Sequence, residues 1–186
     1  MKYLLIFLIV TVGLSSCGGG GGEEVVRPAI TKGRPGVSVA QRKNRFKKLL
    51  VSHPLQNRPS MVESKRLTRA AQKRAADMAR RGYFGHVDPD GKGPNYHVAK
   101  AGYRLPRGWT AFPKTNYVES ILAGPGTAAE AMKMWLGSTQ HRYHLLAKDH
   151  FYRKQTKYGI GHVSVPGSPM RNYWVFISAP PEKADN

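Results

Sequence analysis

The chain holds a single cysteine, Cys17, among its 186 residues. No intramolecular disulfide can form, so its fold must be held by a core of its own. The material for one is present. Hydrophobic residues make up 40% of the chain and aromatics 10%, too apolar for a disordered basic protein. The length suits one domain of ordinary size. There is neither an internal repeat nor a Gly-x-y period, which excludes solenoids and collagen.

Cys17 also closes the most apolar stretch. Lys2 precedes an uncharged run from Tyr3 to Leu14, shorter than the ~20 residues that span a bilayer core. A short basic start followed by a short apolar segment reads as a secretory signal. Leu14-Ser15-Ser16-Cys17 resembles a bacterial lipobox, in which cleavage precedes a lipidated cysteine. The expected organisation is a signal peptide over 1–16, then acylated Cys17 and a Gly-rich tether over 17–36. A domain over 37–181 and a polar tail over 182–186 complete it. Each buried acyl methylene contributes ~0.8 kcal/mol to membrane anchoring, so the lipid bilayer is the first expected partner. Gly18 rather than an aspartate follows the cysteine, which resembles the outer-membrane sorting pattern of Gram-negative lipoproteins.

Within the domain, Val37 to His53 reads as a basic amphipathic helix ended by Pro54. Ser60 or Ser64 can cap the next helix, which runs to about Arg81 with Leu67, Ala70, Ala71, Ala75, Met78 and Ala79 on one face and Gly82 as its stop. A short helix over Tyr96–Ala101, a helix over Ala128–Leu136 and a helical turn over His141–Leu146 follow. Two strand-like runs, Tyr158–Val165 and Tyr173–Ser178, flank the turn Pro166-Gly167-Ser168-Pro169 and predict an antiparallel hairpin. Helices first and strands last indicate an α+β domain.

Glu119 lies inside the apolar run Tyr117–Leu122. A carboxylate there needs a partner or a proton; it is either paired with one of the many cations or part of a site. His86 follows Gly85 in a tight loop, and His141 and His144 share a helix face. Asp88-x-Asp90-Gly91 hints at calcium but lacks the rest of an EF-hand loop, so an Asx-type turn is the simpler reading.

Four ordered motifs carry a resemblance. They are Leu67-x3-Ala71-x3-Ala75-x2-Met78-Ala79-x3-Tyr83-Phe84-Gly85-His86-x-Asp88-Pro89-Asp90-Gly91, then Tyr117 to Gly124, then Trp135-Leu136-Gly137-Ser138-x2-His141-Arg142-x2-Leu145-Leu146, and last Tyr158-Gly159-Ile160-Gly161 with the Tyr173–Ser178 strand. Together, over roughly residues 40–180, they resemble a bacterial CAP domain, the SCP/PR-1-like family in its YkwD-type branch. The resemblance implies a three-layer α/β/α sandwich with a central antiparallel sheet. It also implies a cleft carrying His86, Glu119 and His141. Val118 and Ser120 replace the Gly and Asn that flank the glutamate in the family, and Ser138 stands where many eukaryotic members have a second Glu. His97 stands where bacterial relatives often have Arg, and either faces the cleft or caps the short helix.

Such a triad could bind a divalent metal, zinc being suited to its donors, with Glu119 as third ligand or as an orienter of a ligating histidine. Without metal, Glu119 could polarise a histidine as general base, and Ser138 near His141 raises a Ser-His-Glu triad recognisable only by geometry. The family resemblance fixes no single activity. The expected function is an envelope-anchored module binding a ligand or metal through His86, Glu119 and His141; the alternative is a cleft hydrolase acting on peptidoglycan or peptide.

Thirty Lys and Arg against eleven Asp and Glu give a formal charge of +19. Basic pairs recur at Arg42-Lys43, Lys47-Lys48, Lys65-Arg66 and Arg80-Arg81. Lipid headgroups or anionic envelope polymers are nearer partners than nucleic acid for an exported chain. A cleft-independent electrostatic binder is therefore a third reading, beside a merely solvated basic face. A monomer is expected.

Overall fold

The computed structural model describes residues 37–182. The expected signal peptide, the acylated Cys17 and the tether lie outside the described residues, as do 183–186. Helix α1 (Val39–Val51) opens on a reciprocal cap: Ser38 Oγ accepts from Gln41 N–H, and Gln41 Oε1 accepts from Ser38 N–H. It begins two residues later than Val37 because that cap fixes the start. Strand β1 (Val62–Glu63) is two residues long and follows a loop that the sequence pattern left unassigned. Of the two candidate caps, Ser64 is the one used by α2 (Lys65–Arg81), which ends at Gly82 with φ 68°, a left-handed turn that glycine adopts without cost.

Helix α3 (Pro94–Lys100) and a long loop lead into β2 (Glu119–Ala123). Thr127 and Glu130 cap α4 (Ala128–Gly137) reciprocally. Then come α5 (Thr139–Leu145), the single turn α6 (His150–Arg153), β3 (Lys157–Ser164) and β4 (Asn172–Ala179). The predicted hairpin forms, with Gly159 opposite Ile177 and Gly161 opposite Val175.

The strand order is β1-β3-β4-β2. The three long strands are antiparallel and β1 joins β3 in parallel, so the sheet is mixed where an antiparallel one was expected. Every residue of β4 is buried, because helices cover both faces. Tyr173, Val175, Ile177 and Ala179 meet the α2 and α3 side with Leu67, Ala71, Ala75 and Met78. Trp174 and Phe176 meet α1, α4 and α5 through Phe46, Leu50, Trp135 and Leu145. This two-faced burial makes the strand read as a near-continuous apolar run, and the result is the expected α/β/α sandwich.

The α2–β3 contact sets the dimensions of the domain. A Cβ at Gly161 would stand 2.2 Å from the Ala71 carbonyl oxygen, and one at Gly159 would stand 2.2 Å from the Leu67 carbonyl carbon. Glycine on the strand and alanine on the helix let two backbones approach. Beyond Tyr158, the side of β3 that faces β1 has no neighbouring strand. There Gln72 acts as one: its Nε2 donates to His162 O at 3.1 Å and its Oε1 accepts from His162 N–H at 3.3 Å. The open edge is thereby covered by a side-chain amide.

Candidate functional site

Glu119 begins β2 and its side chain is wholly buried. Asn116 fixes the turn before it: Asn116 Oδ1 accepts from the N–H groups of Val118 and Glu119, and Nδ2 donates to Glu119 O. Arg74, from the middle of α2, donates through Nε to Glu119 Oε2 at 3.0 Å. Its Nη2 donates to the carbonyls of Gly85 and His86 at 2.8 and 2.9 Å, and Nη1 donates to Tyr83 Oη at 2.6 Å. One buried guanidinium therefore holds both the carboxylate and the loop that presents His86. Tyr83 Oη in turn donates a hydrogen bond to Asp77 Oδ2 at 2.9 Å, and burial raises the phenol's pKa.

His86 Nδ1 lies 3.0 Å from Glu119 Oε1. A carboxylate only accepts, so Nδ1 carries a proton, and in the neutral imidazole Nε2 is the nitrogen with the lone pair. No protein group among the described residues engages that Nε2. His141, on the first turn of α5, lines the same cleft of about 400 Å³, together with Asn116, Gln140, Tyr143 and Tyr152. Burial, and then the neighbouring His86, lower the His141 pKa, so its imidazole is neutral at neutral pH. The structure brings His86, Glu119 and His141 to one cleft. Ser138 precedes α5 without a side-chain bond to His141, so no Ser-His-Glu relay forms there.

Glu119 combines the two readings weighed for it. It is paired, and it lines the cleft. Oε2 accepts from Arg74 and Oε1 from His86, which is the orienting role weighed for Glu119 rather than that of a third ligand. Among the described residues no group of three or more His, Cys, Asp or Glu side chains is arranged to hold a metal. The residues as placed do not fit a three-ligand zinc site.

The floor of the cleft, which Ser120 and His144 help to line, holds a second network that the sequence did not reveal. Ser120 Oγ is 2.8 Å from His144 Nδ1, His144 Nε2 is 2.8 Å from Ser178 Oγ, and Ser178 donates to Gln155 Oε1 at 2.6 Å. Because Ser178 spends its proton on Gln155, His144 Nε2 must be the donor and Ser120 must donate to Nδ1. Burial, then Arg58, His141 and His86, hold the His144 pKa well below its ordinary value. Arg58 is buried without a carboxylate; it donates to the carbonyls of His144, Leu145 and Gln155 at 2.7, 2.7 and 2.8 Å. It caps the C-terminal end of α5, where the helix dipole favours a cation. Burial lowers its pKa to about 10, and it stays charged at neutral pH.

Away from the cleft, Asp88 Oδ1 accepts from the N–H groups of Asp90 and Lys92, so the Asp-rich loop is an Asx turn. Asp88 Oδ2 meets His97 Nε2 at 2.8 Å. His97 thus braces that loop in the groove between α2 and α3, and is not among the residues lining the cleft.

An α/β/α sandwich with a buried glutamate and two histidines converging on one cleft defines a CAP-type domain. The family model for the cysteine-rich secretory protein (CAP) family matches residues 33–177, and the chain belongs to that family. Several solved structures resemble it, two of them from bacterial extracellular or surface proteins. An extracellular protein containing an SCP domain from Bacillus anthracis str. Ames has a TM-score of 0.59 and 17% identity, covering 76% of this chain and 41% of that one. The chain thus spans less than half of that relative's length. An outer surface protein from Borrelia burgdorferi has a TM-score of 0.51 and 17% identity, covering 77% of this chain and 89% of that one. No curated protein matches the chain significantly.

Proposed function

We propose that this protein is an exported, lipid-anchored CAP-domain module of the bacterial envelope. Cys17 holds it to the bilayer, at the outer membrane by the residue that follows, and its His86–Glu119–His141 cleft binds a polar ligand such as a peptidoglycan segment. One observation carries the cleft reading. Arg74 and Glu119 lock His86 with its Nδ1 proton fixed and its Nε2 unengaged, facing a cleft lined by amide, hydroxyl and imidazole groups. Such preorganised donors and acceptors suit a ligand rich in hydroxyl and amide groups. The ring cluster of Trp109, Tyr117 and Phe151 adjoins the cleft residues Asn116 and Tyr152 and offers an apolar rim. The surface descriptions of the two similar structures agree with export.

The free Nε2 of His86 beside neutral His141 also supports a second reading, a metal-free general base in a hydrolase. One experiment separates the two. Full-length protein in detergent is mixed with fluorescently labelled peptidoglycan, beside His86→Ala and His141→Ala. Retention lost in both variants, without soluble fragments, fits the binding module. Fragment release abolished by His141→Ala makes the hydrolase the better reading. Retention equal in all three removes the cleft from the function.

A further inference from the structure

We infer that the exposed ridge of α2 is a second binding site, for a linear phosphodiester polymer of the envelope. Lys65, Arg69 and Lys73 stand four residues apart and are all exposed. At ~1.5 Å of rise per residue, their charges repeat every ~6 Å along one line. None of the three has a hydrogen bond or ion pair, although acids elsewhere in the domain are taken up by neighbours: Glu63 pairs with Lys47, Glu182 with Arg66, and Asp90 with Arg81.

The ridge is built against local electrostatics. Like charges at this spacing repel, and Lys65 and Arg66 occupy the first turn of α2, which has no acid and where the helix dipole favours anions. A row of anions would relieve that repulsion.

The surroundings fit a chain rather than a bilayer. A groove of about 640 Å³ runs along one side of the ridge, lined by Lys43 of α1 with Lys65, Arg69 and Lys73, and by one acid, Glu63, which Lys47 already pairs. Another of about 540 Å³ lies on the other side, lined by Lys73, Lys92, Lys100 and Tyr96; its acids are already engaged, Asp77 by Arg80 and Arg81, Asp90 by Arg81 and Asp88 by His97. Lys73 belongs to both. Lys92 and Lys100 each lie against the Tyr96 ring, at 5.2 and 5.7 Å. The exposed large hydrophobic residues lie outside α2, so the ridge offers a membrane no apolar side chain to insert. The site shares no residue with the His86 cleft apart from Arg74. The choice of an envelope polymer rests on the proposed export of the chain; the polyanion chemistry does not.

The test uses full-length protein in detergent and fluorescein-labelled poly(glycerol phosphate), read by anisotropy across salt concentrations. The ridge variant is Lys65→Gln/Arg69→Gln/Lys73→Gln. The control Lys133→Gln/Arg153→Gln/Lys154→Gln makes the same charge change at exposed positions on α4 and around α6. The expected result is a loss of tenfold or more for the ridge variant, a salt slope shallower by about 2, and less than threefold for the control. Lys73→Gln alone is expected to weaken binding measurably, and melting curves check that the variants fold. Equal losses in ridge and control variants would overturn the site. Tighter ridge-dependent binding to phosphatidylglycerol vesicles would replace the polymer with a membrane, and tighter ridge-dependent binding to oligothymidylate would replace the envelope source with nucleic acid. Both outcomes reject the proposal as stated, while the His86→Ala and His141→Ala variants keep a failure of the cleft reading distinguishable.

Discussion

Arg74 Nε and Glu119 Oε2 meet at 3.0 Å with neither side chain open to water, at 1% and 0% exposure. Breaking such a pair on one side leaves a buried charge uncompensated, which costs about 3–5 kcal/mol. Arg74→Ala is expected to lower stability by that amount in urea unfolding. Removing both charges, as Arg74→Met/Glu119→Leu, is expected to cost less than Arg74→Ala alone, because no orphaned carboxylate remains. A double variant as unstable as the single one would show that the pair's charge is not what the core depends on. Both variants are expected to lose cleft binding, since Arg74 also holds the Gly85 and His86 carbonyls.

Acid should destabilise the domain through His162. Its ring is fully buried and stacked 3.8 Å from Trp174, and neither ring nitrogen has a partner. Burial foremost, then Arg42, pushes its pKa down to about 4 from 6.5. The folded state therefore keeps this imidazole neutral where the unfolded chain protonates it. Its contribution is intact above pH 6.5 and is lost as pH falls from 6.5 toward 4, by about 3 kcal/mol in all. His144 is shifted in the same direction and adds to the slope. His162→Phe is expected to flatten the loss between pH 6.5 and 4 and to leave pH 7 stability unchanged or higher, because two unpartnered nitrogens leave the core. Unfolding free energies at pH 7, 5.5 and 4.5 provide the check; parallel pH profiles for the two proteins would exclude His162 as the source.

The sequence carried most of this fold, for identifiable reasons. Helix α2 was legible because its cap and stop are local: Ser64 and Gly82 act within four residues of themselves, whereas α1 was read from its apolar spacing and its Ser38 cap went unread. The β3–β4 hairpin was legible because its strands are adjacent and its turn is rich in Gly and Pro. Strand β1 was not, since two residues carry no period and pair across 95 positions with Lys157. At the site, His86, Glu119 and His141 came from motif resemblance, and the structure places them in one cleft. Arg74 was missed, though a signal existed: it sits within the Ala70, Ala71, Ala75, Met78 stripe, where a solvated arginine has no place. The Ser120–His144–Ser178 chain had no such signal, because serines and a histidine are unremarkable until a third element brings them together.

The close approach of α2 to β3 makes a sharp packing prediction. The Cβ of Gly161→Ala would meet the Ala71 carbonyl at 2.2 Å, and the Ala71 carbonyl carbon at 2.3 Å. Backbone cannot rotate aside as a side chain can, so helix and strand must separate. The expected cost is about 3 kcal/mol, seen as a lowered thermal midpoint. Gly137→Ala, where an added Cβ meets nothing within 4 Å, is the matched control and is expected to be neutral or stabilising. Equal behaviour of the two would mean the helix is not seated against the strand as described.

Arg58 links the core to the cleft. Its guanidinium donates to the His144, Leu145 and Gln155 carbonyls and to Ser178 Oγ, holding the end of the helix whose first turn carries His141. In Arg58→Ala these buried acceptors lose their donor. Each unmet group costs about 1–3 kcal/mol, and since they share one cavity the sum is not additive; a loss of about 4 kcal/mol in unfolding free energy is expected. Lysine supplies charge without the planar fork, so Arg58→Lys should recover less than half. His144 gives a signature that mere instability would not. With the guanidinium gone, one cause of its depressed pKa is removed, and its imidazole resonances should begin to titrate at higher pH than in the parent protein. Unchanged His144 titration in a folded Arg58→Ala protein would separate Arg58 from the electrostatics of the cleft floor and leave it only the capping of α5.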